Sequence, residues 1–202
     1  PGTIDNDIFG TTYTLGFDTA LNTVVDAIDK IRDTASSHHR LFFVEVMGRD
    51  VGHIALNSGV GAGAEEILIP EENLGLDRLL DSLTRSKARG KSSSIVVVAE
   101  GDRTTGNNVY ELKEFVESNL PAYDVRVCVL GHIQRGGAPY CFDRVLASRM
   151  GVKSVEALLE GKTNLMAGIV DNQITFTPVG DAIKGKSKID KELIRVSDIM
   201  TI

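Results

Sequence analysis

Ser94-Ile95-Val96-Val97-Val98-Ala99-Glu100 decides the fold. Five apolar residues run without interruption and four of them are β-branched, the pattern of a strand covered on both faces. A strand with one wet face would alternate. Working outward, 41–46 and 125–130 read as further strands, 67–69 as a short one and 165–171 as a later one. Helical periods fill the intervals. The first, over 16–35, sets Phe17, Leu21, Val24, Val25, Ile28 and Ile31 on one stripe; others fall at 51–64, 76–88, 109–120 and 140–159. Strands alternating with helices predict βαβ units, a mostly parallel sheet and an α/β fold.

In such sheets ligands sit at the carboxyl ends of the strands. Three polar segments fall there: Met47-Gly48-Arg49, Glu100-Gly101-Asp102-Arg103, and Gly131-His132-Ile133-Gln134-Arg135-Gly136-Gly137. The last joins a histidine, a guanidinium and glycines, and Arg offers paired bonds to phosphate oxygens. The helix expected from about Tyr140 adds a positive dipole end. Each segment is also an acceptable strand-to-helix turn. Arg40 and Arg126 stand at strand starts, where a solvated surface partner is the ordinary role. His38-His39 has no partner at metal spacing and reads as a solvated helix end.

The first seven residues, Pro1-Gly2-Thr3-Ile4-Asp5-Asn6-Asp7, place two carboxylates two residues apart in a Gly/Pro-flanked stretch. Asp5 and Asp7 can divide a proton-accepting and a metal-proximal role. Asp-Asn-Asp is equally ordinary turn chemistry.

The 202 residues are 42% apolar, enough for a real core, with a formal charge of −6. That balance argues against nucleic-acid and membrane-surface roles, so an anion site must be a local gathering of cations. Two cysteines, Cys128 and Cys141, are too few for a disulfide scaffold or a thiolate metal site and fit a reducing, cytoplasmic setting. Neither a membrane span nor a signal peptide is visible. Lys184, Lys186, Lys188 and Lys191 read as a solvated basic face.

Taken in order, PGTIDND at 1–7, SSHHR at 36–40, VEVMGR at 44–49, VLGHIQRGG at 129–137 and DRVLASRMG at 143–151 resemble 6-phosphofructokinases of the bacterial, ATP-dependent type. The resemblance runs from end to end, and five ordered matches are far more specific than any one. It implies the parallel-sheet sandwich of that family, incomplete here, because members carry an upstream segment with the Gly-rich ATP-binding loops. By that likeness, 17–133 plus 185–202 form the sugar-phosphate-binding domain, and 1–16 plus 134–184 are remnants of the nucleotide-binding domain. Exposed edges, apolar patches and self-association are expected of such a chain.

The resemblance also implies roles. Asp5 resembles the base that removes the proton of the 1-hydroxyl of fructose 6-phosphate as ATP delivers its γ-phosphoryl group, giving fructose 1,6-bisphosphate. Thr3 and Ile4 match contacts to the sugar or the transferred group, and Asp7 a position near Mg²⁺. Met47, Gly48, Arg49 and Glu100 match residues that grip the hexose. His132, Ile133, Gln134 and Arg135 match the 6-phosphate segment, with Arg40 and Arg126 reaching that phosphate from a neighbouring subunit. A homo-oligomer with shared sites, such as a homotetramer, follows. Arg32, Gly63, Ala64, Glu65, Arg89 and Lys91 match an effector site for ADP or GDP. Gly2 stands where the pyrophosphate-using branch has Lys, which favours ATP. Two alternatives remain: a pyrophosphate-dependent enzyme, or a non-catalytic sugar-phosphate-binding chain, since without the ATP-binding loops the chain alone is expected to be inactive.

Overall fold

The computed structural model describes residues 1–36, 40–72, 75–90, 94–104 and 108–200. His38, His39 and Lys91 lie outside them. Two compact units emerge, one of Leu21–Gln134 with Ile189–Ile202, the other of Pro1–Ala20 with Arg135–Lys188.

The first unit is built on a four-stranded, wholly parallel sheet in the order β2-β3-β1-β4. Its strands are β1 (Arg40–Val46), β2 (Glu66–Leu68), β3 (Ser94–Ala99) and β4 (Asp124–Val129). All six residues of β3 are buried, as its unbroken apolar run requires. Leu41 and Phe43 of β1, with Val96 and Val98 of β3, pack against Leu79 and Leu83 of α3 (Leu76–Ala88) and Leu112 and Val116 of α4 (Val109–Asn119). α2 (His53–Gly61) packs against β2, β3 and the C-terminal helix α7 (Lys191–Met200). It is shorter than the expected 51–64, because the chain turns at Gly63 with a left-handed φ of 64°. Asn108 starts α4: its side-chain oxygen accepts the N–H groups of Tyr110 and Glu111 while its amide donates to Glu111. β4 is an edge strand whose open side carries Asp124 and Arg126.

The second unit sets α5 (Cys141–Leu159) against a hairpin of β5 (Leu165–Val170) and β6 (Gln173–Pro178), which α6 (Val179–Lys184) follows. Leu146, Met150 and Ile169, with Leu15 and Ile174, form its small core. The hairpin is antiparallel and turns on Asp171-Asn172, with φ of 49° and 59°, the geometry of a type I′ turn. The sequence predicts only its first strand. α1 (Phe17–Ser36) buries Phe17, Ala20, Val24, Ile28 and Ala35; of the expected stripe, Phe17, Val24 and Ile28 are buried, whereas Leu21, Val25 and Ile31 are half-buried. α5 leaves Val145, Val152, Val155, Leu158 and Leu159 exposed, an apolar face of the kind expected.

Candidate functional site

Because the sheet is parallel, β1, β3 and β4 end on one edge. The last rungs there are Glu100 N–H to Val46 O at 2.9 Å and Leu130 N–H to Glu45 O at 3.0 Å. Beyond them the ladder stops and side chains take over. Glu100 Oε1 accepts the N–H groups of Gly48 (3.2 Å) and Arg49 (2.8 Å). Gln134 Oε1 accepts that of Met47 at 3.2 Å. Gly48 has φ of 148° and Arg49 of 52°, so the tripeptide is held in backbone conformations that the surroundings must enforce. Gly101 is required here, since a Cβ would run into the carbonyl oxygen of Arg49. Arg49 itself is exposed, and Met47 and Gly48 are buried.

The third segment forms a single turn of 3-10 helix, Gly131–Arg135. His132, Ile133 and Arg135 are exposed on it, whereas Gln134 is turned inward and only 1% exposed. The strand ends thus bring together Met47, Gly48, Arg49, Glu100, His132, Ile133 and Gln134, as the alternation of elements predicts.

Arg40 and Arg126 lie elsewhere. Arg40 opens β1, about 20 Å along the strand from that edge (six rises of ~3.3 Å), and Arg126 is the third residue of β4, about 10 Å from its end (three such rises). Asp124 joins them, accepting from Arg40 Nε at 2.9 Å and lying 3.0 Å from Arg126 Nη2. Those two hydrogen bonds hold the Asp124 carboxyl below its ordinary range.

Glu45, which the sequence reading passed over, lines one small cavity with Glu100, Asp102 and Asn108. Burial first, then the charge of Glu100, pushes its carboxyl above the ordinary 4.5, partly offset by the Val109 N–H. The folded chain therefore holds this proton more tightly than the unfolded one. The stabilisation is complete below about 4.5 and is lost as pH rises through the folded value. Glu45→Gln is expected to melt higher than wild type at about pH 8 and to converge with it near pH 4.5. Thermal melts at the two pH values check this, and a gap that widens toward acid would contradict it.

In the second unit, Pro1–Asp7 is tied down by residues that the sequence did not single out. Asn6, with φ of 56°, donates from Nδ2 to Thr12 O at 2.9 Å and accepts Thr14 N–H at 2.8 Å. The fully buried Thr14 hydroxyl donates to Thr3 O at 2.7 Å. Thr3 Oγ1 accepts Asp5 N–H at 3.1 Å, and Asp5 is 5% exposed. Ile4 and Asp7 are half-buried in the same loop. The available signal was an Asn between two acids, a residue that tolerates left-handed backbone.

Of the expected effector residues, Arg32 donates to Ala62 O at 2.5 Å and to Gly63 O at 3.1 Å, next to Ala64. The Glu65 carboxylate is buried and accepts Ile95 N–H at 2.5 Å, so it holds the sheet and is not offered at the surface. Arg89 is exposed at the end of α3. No described helix is long and apolar enough to cross a membrane.

Comparison with known proteins agrees with this arrangement. The chain is 52% identical over all 202 residues to an ATP-dependent 6-phosphofructokinase of Listeria innocua, and covers 62% of that protein. It thus spans about three fifths of the length of the curated relatives it matches. A phosphofructokinase from Saccharomyces cerevisiae matches in structure with a TM-score of 0.84 and 33% identity, over 98% of this chain and 26% of that one. A pyrophosphate-dependent phosphofructokinase from Marinobacter aquaeolei matches with a TM-score of 0.81 and 25% identity, over 95% of this chain and 53% of that one. The model of the family described as phosphofructokinase matches residues 1–158, most of the chain, from the first loop through α5 to its last residue but one. On that match, this chain belongs to the phosphofructokinase family.

Proposed function

We propose that the protein to which this chain belongs transfers the γ-phosphoryl group of ATP to the 1-hydroxyl of fructose 6-phosphate. The observation that carries the reading is 52% identity over the full length of the chain to ATP-dependent 6-phosphofructokinases. Convergence of three polar loops at one edge of a parallel sheet supports it independently. Phosphoryl transfer needs positioning and charge stabilisation more than covalent help. Asp5 accepts the hydroxyl proton, and Thr3 and Ile4 contact the sugar or the transferred group. Met47, Gly48, Arg49 and Glu100 hold the hexose; His132 and Arg135 hold the 6-phosphate.

Arg40 and Arg126 act on the 6-phosphate of a neighbouring subunit. The place of Arg40 at the opposite end of β1 from the strand-end loops, and the hold of Asp124 at the start of β4 on both guanidinium groups, support that assignment. A homotetramer with shared sites and cytoplasmic residence go with this reading. An ADP or GDP effector would meet Arg32, Gly63, Ala64 and Arg89.

Asp7 is a hard oxygen donor in the same short loop as Asp5, which suits a position near Mg²⁺ completed by water and phosphate oxygens. When bound, the ion would neutralise phosphate charge.

The donor is tested by assaying the intact protein with fructose 6-phosphate and either ATP or pyrophosphate, coupling fructose 1,6-bisphosphate formation to NADH oxidation. Turnover with ATP and little with pyrophosphate is expected, in keeping with Gly2, where an added Cβ would meet nothing within 4 Å. Preference for pyrophosphate would overturn the ATP assignment.

A further inference from the structure

We propose that Gln134 is a positioning residue that locks the Gly131–Arg135 turn to the backbone of Met47, and is not itself a ligand of the sugar phosphate. The inference rests on the reading of these two loops as fructose 6-phosphate contacts.

Gln134 is one of the largest fully buried side chains, in the company of Phe, Leu and Ile residues. Its amide oxygen accepts Met47 N–H at 3.2 Å and its amide nitrogen donates to Gly131 O at 2.9 Å. Both ends are therefore engaged with backbone, and the neighbours on the same turn, His132 and Ile133, are the exposed ones. On the other side of β1, Glu100 holds the next two amides, Gly48 and Arg49. Three successive N–H groups are thus fixed by side chains from the segments that follow the two strands flanking β1.

The residue type follows from this task. A buried side chain that must accept at one end and donate at the other has to be an amide of Gln length. Ionised Glu lacks the donor, and Met lacks both functions. Left without it, Met47 N–H would be a buried polar group without this partner, a state proteins avoid, and the turn would lose its side-chain tie at the Gly131 carbonyl. Met47 precedes Gly48 and Arg49, whose positive φ values need outside support. Loss of the brace would then be felt at both loops together.

Gln134→Met keeps the volume and removes both hydrogen bonds. By hydrogen exchange on this chain, the Met47 amide and those of 131–134 are expected to exchange about tenfold faster or more, with β3 amides unchanged. In the intact enzyme, KM for fructose 6-phosphate should rise about tenfold or more while kcat stays within about threefold. Gln134→Glu supplies a conservative rescue: once protonated, the carboxyl can accept from Met47 and donate to Gly131. Its KM defect should shrink as pH falls from about 8 to about 6, with wild type measured in parallel. Glu45 on β1, Glu100 after β3 and His132 on the turn are common to both proteins, so the difference isolates residue 134.

Unchanged exchange at Met47 in Gln134→Met would overturn the brace. Faster exchange with an unchanged KM would overturn its role in positioning. If Gln134→Met does not fold, Gln134→Glu at the two pH values makes the same decision. Wild-type enzyme with no affinity for fructose 6-phosphate would overturn the proposed function and the sugar half of this inference, while exchange still reports on the brace.

Discussion

Asp5→Asn is expected to lower kcat for phosphoryl transfer to fructose 6-phosphate by about 10²–10⁴-fold, the usual contribution of a positioned general base. Asn has nearly the same shape and cannot take up the hydroxyl proton. KM should stay near wild type, because most of the proposed hexose and phosphate contacts, those of Met47, Gly48, Arg49, Glu100, His132 and Arg135, lie on other loops. The loop itself should survive the change. Its conformation is set by Asn6, Thr14 and Thr3, through hydrogen bonds of 2.7–2.9 Å that do not involve the Asp5 side chain. A melting temperature near wild type is therefore part of the expected result and separates lost chemistry from lost folding. Steady-state kinetics of the intact variant, with ATP and fructose 6-phosphate both varied, make the measurement. A kcat within about threefold of wild type would remove Asp5 from the proton-transfer step.

The sequence revealed the parallel sheet because β3 is buried on both faces, and a fully buried strand is one whose composition leaves no other role. It revealed the strand-end loops because an α/β chain that alternates regularly can put its ligand segments in few places. It missed β6, which is half-exposed along most of its length, so that Gln173–Pro178 has no apolar run to betray it. The turn before it, Asp171-Asn172, was a usable signal, since both residues tolerate the positive φ that a type I′ turn demands. α7 was invisible for a similar reason: none of its residues is buried. The inward turn of Gln134 and the shared grip of Asp124 on Arg40 and Arg126 were not legible either. Each depends on a partner more than 80 residues away in the chain, on the Met47 amide and on Arg40. Periodicity and motif spacing are local, and they carry no information about which distant backbone group a polar side chain will meet.

Asp143 shows the same limit with larger consequences for stability. It lies in the first turn of α5, only 4% exposed, inside a segment whose family likeness was plain and whose task was not. Its carboxylate accepts Gly16 N–H and Thr19 N–H, each at 2.9 Å, and the Thr19 hydroxyl at 2.5 Å. Gly16 and Thr19 belong to the start of α1, where amides have no partner within the helix. One buried charge thus caps a helix far away in sequence while standing at the positive end of its own. Asp143→Ala would leave these donors unpaired, at a cost of about 3 kcal/mol from one charged cap and the loss of further charge-assisted bonds. That is a large share of the 5–15 kcal/mol typical of a folded domain. For a chain of this size the melting temperature should fall by about 6–12 °C. Asp143→Asn keeps one acceptor oxygen and should cost about half as much. Urea denaturation of the three proteins, read by circular dichroism, measures the series. Equal stability of wild type and Asp143→Ala within about 1 kcal/mol would mean that water or a neighbouring group replaces the cap, and that the non-local carboxylate is not what holds the start of α1.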